Sequence, residues 1–182
     1  MNATIRSHFA TIRSADRQEQ GAAYTYLLEA TKKPVDWAYE VWDELLAGLS
    51  HKDNRVRSIS AQLLCNLAKS DPKGRMLKDF GKLLANTKDP QFVTARHTLQ
   101  SLWHVGTAGK KQQAKVVTGL SSRFRECAAE KNGTLIRYDI LQALRRLHDA
   151  VEDEGIRRKA LALIATEKDP KYRAKYATLW RK

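Results

Sequence analysis

The sequence predicts an all-α protein in which short amphipathic helices follow one another in antiparallel pairs. Apolar residues recur at steps of three and four, as in Val56, Ile59, Leu63 and Leu67, which is the spacing of one helical face. A ten-residue segment also returns farther along the chain, and repetition at a fixed offset is typical of helical repeat proteins. No stretch shows the sustained alternation and tight turns of β-hairpins.

The recurring segment spans 83–92 and returns at 163–172. The two copies read Leu-Leu-Ala-Asn-Thr-Lys-Asp-Pro-Gln-Phe and Leu-Ile-Ala-Thr-Glu-Lys-Asp-Pro-Lys-Tyr, so nearly every position agrees in type. Their offset of 80 residues is twice the length of a helical pair of about 40 residues. An apolar residue followed by arginine recurs as Val56-Arg57, Ile136-Arg137 and Tyr172-Arg173.

The prolines predict where helices begin. Three of the four, Pro72, Pro90 and Pro170, directly follow an aspartate, and the fourth is Pro34. Aspartate caps a helix N-terminus and proline fits the first helical position. We therefore predict helices near 17–32, 35–49, 54–69, 72–86, 90–106, 109–130, 134–150, 153–167 and 170–181. Residues 1–15 are expected to form a capping helix or a tail.

These features resemble HEAT repeats. The asparagine or proline after aspartate, the Val56-Arg57 dipeptide, and the small and leucine positions Ala61, Leu63 and Leu64 carry the resemblance, which covers roughly residues 17–181. It implies an armadillo-type fold: a right-handed α-α superhelix of about four helical pairs plus a terminal helix, as a single domain over 1–182. It also implies a scaffold or adaptor, although a fold does not by itself assign a function.

The charge is unevenly distributed along the chain. The net charge is +13, but residues 1–50 hold 5 Lys/Arg against 7 Asp/Glu, a balance of −2, whereas residues 51–182 carry +15. A basic excess of this size favours an acidic partner, either the nucleic-acid backbone or an acidic protein surface. An ordinary solvated surface is the alternative interpretation.

The resemblance also implies that the second helix of each pair lines a concave face. Basic residues on three of these helices form the predicted binding strip: Arg75, Lys78, Lys82, Lys110, Lys111, Lys115, Arg157 and Arg158. The first such helix differs, because Asp36, Glu40, Asp43 and Glu44 make it acidic. Arg75, Lys78 and Lys82 share one side of their helix by spacing.

Other kinds of site find little support in the sequence. No metal-binding motif, nucleophile elbow or phosphate-binding glycine loop is present, so we predict no metal and no cofactor. His97 and His104 lie seven residues apart, too far to chelate one ion without a further ligand. Asp36-Trp37 and Trp42-Asp43 are the adjacent tryptophan–aspartate pairs that would suit a base-excision enzyme, but they fall on the acidic helix.

Two cysteines within apolar helical patterns, and no apolar run of about 18 residues, predict a protein of a reducing compartment, the cytoplasm, without a membrane span. The sequence thus favours a non-catalytic scaffold whose basic concave face binds an acidic protein. A nucleic-acid-binding protein, related to the HEAT-like DNA alkylation-repair glycosylases that bind DNA on such a face, is the alternative. No motif specific to that branch is evident.

Overall fold

The computed structural model describes residues 1–181, and 78% of the structure is helical. The all-α prediction is confirmed, because no strand occurs within these residues. The helices are α1 (Ala3–Thr11), α2 (Arg17–Ala30), α3 (Ala38–Gly48), α4 (Asn54–Leu67), α5 (Arg75–Ala85), α6 (Phe92–Ser101), α7 (Trp103–Gly106), α8 (Lys110–Glu126), α9 (Gly133–Val151), α10 (Glu154–Ala165) and α11 (Pro170–Ala177). Single 3₁₀ turns at Ala68–Ser70, Asn86–Lys88, Cys127–Ala129 and Thr178–Trp180 extend four of them.

The prediction that an aspartate–proline pair marks the start of a helix is confirmed at Asp169-Pro170. It holds only in part at the other two pairs. Asp169 caps α11 and Pro170 is its first residue. In contrast, α5 begins three residues after Pro72, because the Asp71 carboxylate accepts hydrogen bonds from the amides of Arg75 and Met76. The intervening turn reverses at Gly74, whose φ of 67° suits a residue without a side chain.

The segment predicted as one helix over 90–106 is interrupted at Leu102, between α6 and α7. The chain divides at the same point into two compact units, Met1–Ser101 and Leu102–Lys182.

The first unit packs α1 against α2, α3 against α4, and α4 against both α2 and α6. Hydrogen bonds link side chains roughly one helical pair apart in sequence. The Tyr24 hydroxyl donates to Gln62 at 2.6 Å, and the Trp42 indole donates to Asp79 at 3.1 Å. The core of this unit is made by Phe9, Leu27, Trp42, Leu45, Leu63, Leu64, Phe80 and Leu99.

The second unit packs α7 against α8, α8 against α9 and α10, and α9 against α10 and α11. Bonds at a similar sequence separation hold it together. Gln113 donates to Asp153 at 2.6 Å, and the Tyr176 hydroxyl donates to the Thr134 carbonyl at 2.9 Å. Its core is made by Val116, Leu120, Phe124, Ile140, Leu144, Leu147, Leu163 and Tyr176.

Within the described residues, no helix combines the length and the apolar character needed to cross a bilayer. Cys65 and Cys127 are both buried with free thiols, and burial raises the pKa of each. They therefore behave as small core residues rather than as nucleophiles.

Candidate basic interface

The eight residues of the predicted strip are distributed over both units. Arg75, Lys78 and Lys82 lie on α5 in the first unit, and Lys110, Lys111, Lys115, Arg157 and Arg158 lie on α8 and α10 in the second. In both groups some of the cations lie next to carboxylates and others do not.

Arg75 is engaged within the protein. Its guanidinium pairs with Asp43 of α3 and, at 3.1 Å, with Asp79 of its own helix, and it lies 5.8 Å from the centre of the Trp42 ring. The hydrogen bond from Arg75 lowers the pKa of the Asp43 carboxyl, so this pair remains ionised. The contacts of Arg75 hold α5 to α3 rather than leaving its charge open to a partner.

Lys78 and Lys82 are exposed on the side of α5 opposite the buried Met76 and Phe80. The Lys82 ammonium lies 3.8 Å from Asp79. Exposed acids on the neighbouring α3, Glu40 and Asp43, lower the positive potential further. The α3–α5 surface of the first unit therefore carries both signs of charge.

The α8 lysines of the second unit have a different environment. Lys111 and Lys115 are one helical turn apart and exposed, opposite the buried Val116 and Leu120. No carboxylate of residues 1–181 lies within ion-pair distance of either ammonium. Lys110 approaches Asp153 at 3.6 Å but keeps 82% of its side chain exposed.

Asp153 joins the beginning of α8 to the beginning of α10. It caps α10 through the Gly155 amide at 2.8 Å and accepts a hydrogen bond from Gln113 of α8. The Gly155 amide bond, the Gln113 bond and the Lys110 charge lower the pKa of this carboxyl. The negative charge of Asp153 therefore interacts with groups at the N-termini of α8 and α10. These two N-termini lie side by side.

On α10, Arg157 and Arg158 point to different sides, because consecutive helical residues are about 100° apart. Arg158 is exposed. Arg157 is half-buried and lies 3.6 Å from Glu154, one turn earlier on its helix. Of the predicted strip residues on α8 and α10, Lys111, Lys115 and Arg158 are exposed and form no ion pair within residues 1–181; we call these three residues the α8–α10 face.

The tryptophans of the two tryptophan–aspartate pairs, Trp37 and Trp42, lie in the core. Trp37 and Trp42 are 7% and 0% exposed, so neither ring can stack on an extruded base. Trp103 is half-buried and stacks on His104 at 3.8 Å between ring centroids. Within residues 1–181, no group of three or more His, Cys, Asp or Glu is placed to hold a metal ion.

Sequence reasoning missed a second cluster of basic groups in the second unit. Arg145 and His148 on α9 line a cavity with Glu154, Arg157 and Trp180. The spacing of Arg145 and His148 on one helical face was visible in the sequence. Their contact with Trp180 was not visible in the sequence, because it spans more than 30 residues and depends on how the helices pack.

No family model matches the chain, and no curated protein matches it in sequence. Solved structures do resemble it. Two crystal structures of engineered proteins from the Northeast Structural Genomics Consortium cover 98% of this chain, with TM-scores of 0.56 and 0.55 at 17% and 16% identity. The match spans 79% and 78% of those chains. At this identity the likeness concerns the fold alone: this arrangement of helices is one that solved proteins adopt.

Proposed function

We propose that this chain is a non-catalytic, HEAT-like α-solenoid scaffold that binds an acidic protein segment through the α8–α10 face. In such a solenoid the second helix of each pair would line the concave surface. Lys111, Lys115 and Arg158 of the second unit would form the binding surface, and Lys110 and Arg157 at its edge would add to it.

The placement of Lys110 and Lys111 is the observation that carries this proposal. Both occupy the first turn of α8, which contains no acidic residue of its own, and Gly109 provides no side-chain cap. Asp153, at the N-terminus of α10, lies 3.6 Å from Lys110 and offsets its charge, whereas Lys111 has no carboxylate partner within residues 1–181. The helix dipole makes cations unfavourable there, by about 0.3–1 kcal/mol each. Positive charges at a position that costs helix stability are explained if they serve to bind an anion.

An acidic protein segment suits this surface better than nucleic acid does. Binding of single strands or extruded bases uses exposed aromatic rings, and neither α8 nor α10 carries an exposed aromatic ring. A carboxylate-rich helix or tail needs only the distributed cations that α8 and α10 offer. Contact with duplex phosphates uses the same cations and is the competing function.

Charge reversal tests the proposal. The double variant Lys111→Glu/Lys115→Glu is compared with Lys33→Glu/Lys52→Glu, an equal change in charge at exposed positions of the first unit. Binding of a glutamate-rich peptide is measured by fluorescence anisotropy at two salt concentrations. We expect the first variant to weaken binding by about tenfold, a change of about 1.4 kcal/mol, and the control to change it by less than about twofold.

A random DNA duplex is measured in parallel. If the duplex binds more tightly than the peptide, with a salt slope of about −0.9 per phosphate that the α8 reversal reduces, the nucleic-acid function replaces the scaffold function. If both double variants weaken peptide binding equally, the α8–α10 face has no special role.

A further inference from the structure

The second unit contains a cavity of about 330 Å³ between the end of α9, the beginning of α10 and the turn that carries Trp180. Arg145, His148, Glu154, Arg157 and Trp180 line it. Its volume lies at the small end of the range for ligand pockets, about 300–1,000 Å³. Three of its five lining side chains are basic, and one is an acid.

Arg145 is held in a fixed orientation at this cavity. Its Nε donates to both Asp149 oxygens at 2.8 and 2.9 Å, and one terminal nitrogen donates to the Leu179 carbonyl at 3.1 Å. The guanidinium carbon lies 5.8 Å from the centre of the Trp180 ring. These bonds leave the other terminal nitrogen of the planar fork to face a ligand.

The remaining polar groups are less firmly paired. His148 Nδ1 lies 3.1 Å from the Asp153 carbonyl, which can only accept, so Nδ1 carries a proton and donates. His148 Nε2 and an Arg157 terminal nitrogen lie 3.8 and 3.6 Å from the Glu154 oxygens, beyond hydrogen-bonding distance. Because the Glu154 side chain is 60% exposed, it can turn outward without losing a close bond.

Trp180 supplies an apolar wall and an unsatisfied donor. The residue is 5% exposed, and its indole nitrogen has no hydrogen-bond acceptor among the described residues. Buried donors without an acceptor are rare and call for an explanation. The nitrogen itself has almost no accessible surface, so a ligand in the cavity would meet the face of the Trp180 ring rather than this donor.

We propose that this cavity binds a phosphate monoester group. The Arg145 fork and Arg157 would hold its oxygens, and the Trp180 ring would pack against the organic substituent. Two arginines around one oxyanion match the geometry of phosphate better than that of an isolated carboxylate. The proposal rests on the proposed function only where the phosphate is taken to be a side-chain modification of the acidic partner.

The test is titration of the isotope-labelled full chain with O-phosphoserine at constant ionic strength, followed by NMR at the Trp180 indole N–H. Serine and chloride are the reference ligands. We expect a saturable shift with O-phosphoserine and none with serine or chloride. Arg157→Gln should weaken binding at least tenfold, whereas Glu154→Gln, which removes the competing carboxylate, should strengthen it.

Arg173→Gln is the matched control, because Arg173 is exposed on α11 in the same unit and does not line the cavity. If Arg157→Gln and Arg173→Gln weaken binding equally, or if chloride produces the same shift, the proposal is wrong. A phosphoserine peptide blocked at both ends separates the sources: equal binding identifies a modified side chain, and loss of binding identifies a free small molecule. The Lys111→Glu/Lys115→Glu variant keeps this cavity intact, so failure here and failure of the α8–α10 face are told apart.

Discussion

Arg57 and Arg137, 80 residues apart in the sequence, make the same kind of contact in the two units. Arg57 forms a two-pronged pair with Asp89 at 2.5 and 2.8 Å, and Arg137 pairs with Glu167 at 2.7 Å. Both arginine side chains are only 14% exposed. Each pair links the first helix of one predicted repeat to the loop that opens the following one. The recurring apolar–arginine dipeptide predicted a repeat. The carboxylates that pair with the two arginines were not evident from the sequence, because they lie about 30 residues farther along the chain.

The two aspartates that precede prolines at matching places in the repeat should contribute unequally to stability. Asp169 caps α11 through the Lys171 amide alone, whereas Asp89 bonds the Gln91 amide and also pairs with Arg57. We predict that Asp169→Ala costs about 1 kcal/mol, the value of a cap. Asp89→Ala should cost about 2–4 kcal/mol, because it also leaves a largely buried arginine unpaired. Urea unfolding at pH 7 measures both costs, and equal costs would mean that the Arg57–Asp89 pair is energetically neutral.

The same carboxylate should make the protein sensitive to acid. Burial raises the pKa of Asp89, but the hydrogen bonds from Arg57 and from the Gln91 amide outweigh it, and the net pKa lies below the usual value. The stability from this shift is complete above the unfolded-state pKa of about 3.9 and is lost as the pH falls through the lower folded pKa. The stability difference between the wild type and Asp89→Asn should therefore shrink between pH 7 and pH 3. A difference that is constant over this range would contradict the assignment.

At the scale of the helix, close packing of α3 on α4 requires a glycine. A Cβ on Gly48 would lie 2.1 Å from the Ser60 hydroxyl oxygen and 2.9 Å from its Cβ, so rotating the serine cannot relieve the overlap. We predict that Gly48→Ala destabilises the protein by about 1–3 kcal/mol. Gly81→Ala on α5 is the control, because a Cβ there meets nothing within 4 Å and should stabilise the helix by about 0.5–1 kcal/mol. Thermal unfolding of both variants tests this prediction. If Gly48→Ala is as stable as the wild type, α3 and α4 are farther apart than in the structure.

The first turn of α8 should show a conflict between stability and binding. Replacing Lys111 with glutamate places a negative charge at the positive end of the helix dipole and should stabilise the fold by about 0.3–1 kcal/mol. Lys115→Glu lies beyond that turn and should gain little, although both changes should weaken binding of the acidic peptide similarly. Parallel unfolding and anisotropy measurements test this. Equal stabilities of the two variants would remove the argument that Lys111 is kept for binding.

Helix positions were largely predictable from the sequence because they depend on local pattern. α4, α8, α9 and α10 begin within one residue of the predicted starts at 54, 109, 134 and 153. α3 and α5 begin three residues late, since their prolines occupy the preceding turns. The role of Arg75 could not be predicted, because its position on α5 does not reveal that Asp43 of another helix lies against it.

At the scale of the whole chain, the positive charge is concentrated in the second unit. The first unit holds 15 Lys/Arg against 11 Asp/Glu, and the second holds 18 against 9. The basic excess predicted for residues 51–182 extends over both units, because residues 51–101 hold 10 Lys/Arg against 4 Asp/Glu, a balance of +6, and residues 102–182 carry a balance of +9. Counting charged residues does not by itself locate an unpaired basic surface, because some cations form ion pairs within the protein. Arg57 and Arg75 contribute to the count but pair with carboxylates inside the first unit.

The central claim is that an acidic protein segment binds on the exposed sides of α8 and α10, and amide NMR of the full chain tests it most directly. A glutamate-rich peptide is titrated into the isotope-labelled protein, and shifts are followed at every assigned amide. The account predicts saturable shifts clustered at residues 110–118 and 154–162, and none on α2 or α4. Shifts centred on the first unit, or spread evenly over both units in proportion to exposed lysines and arginines, would contradict it.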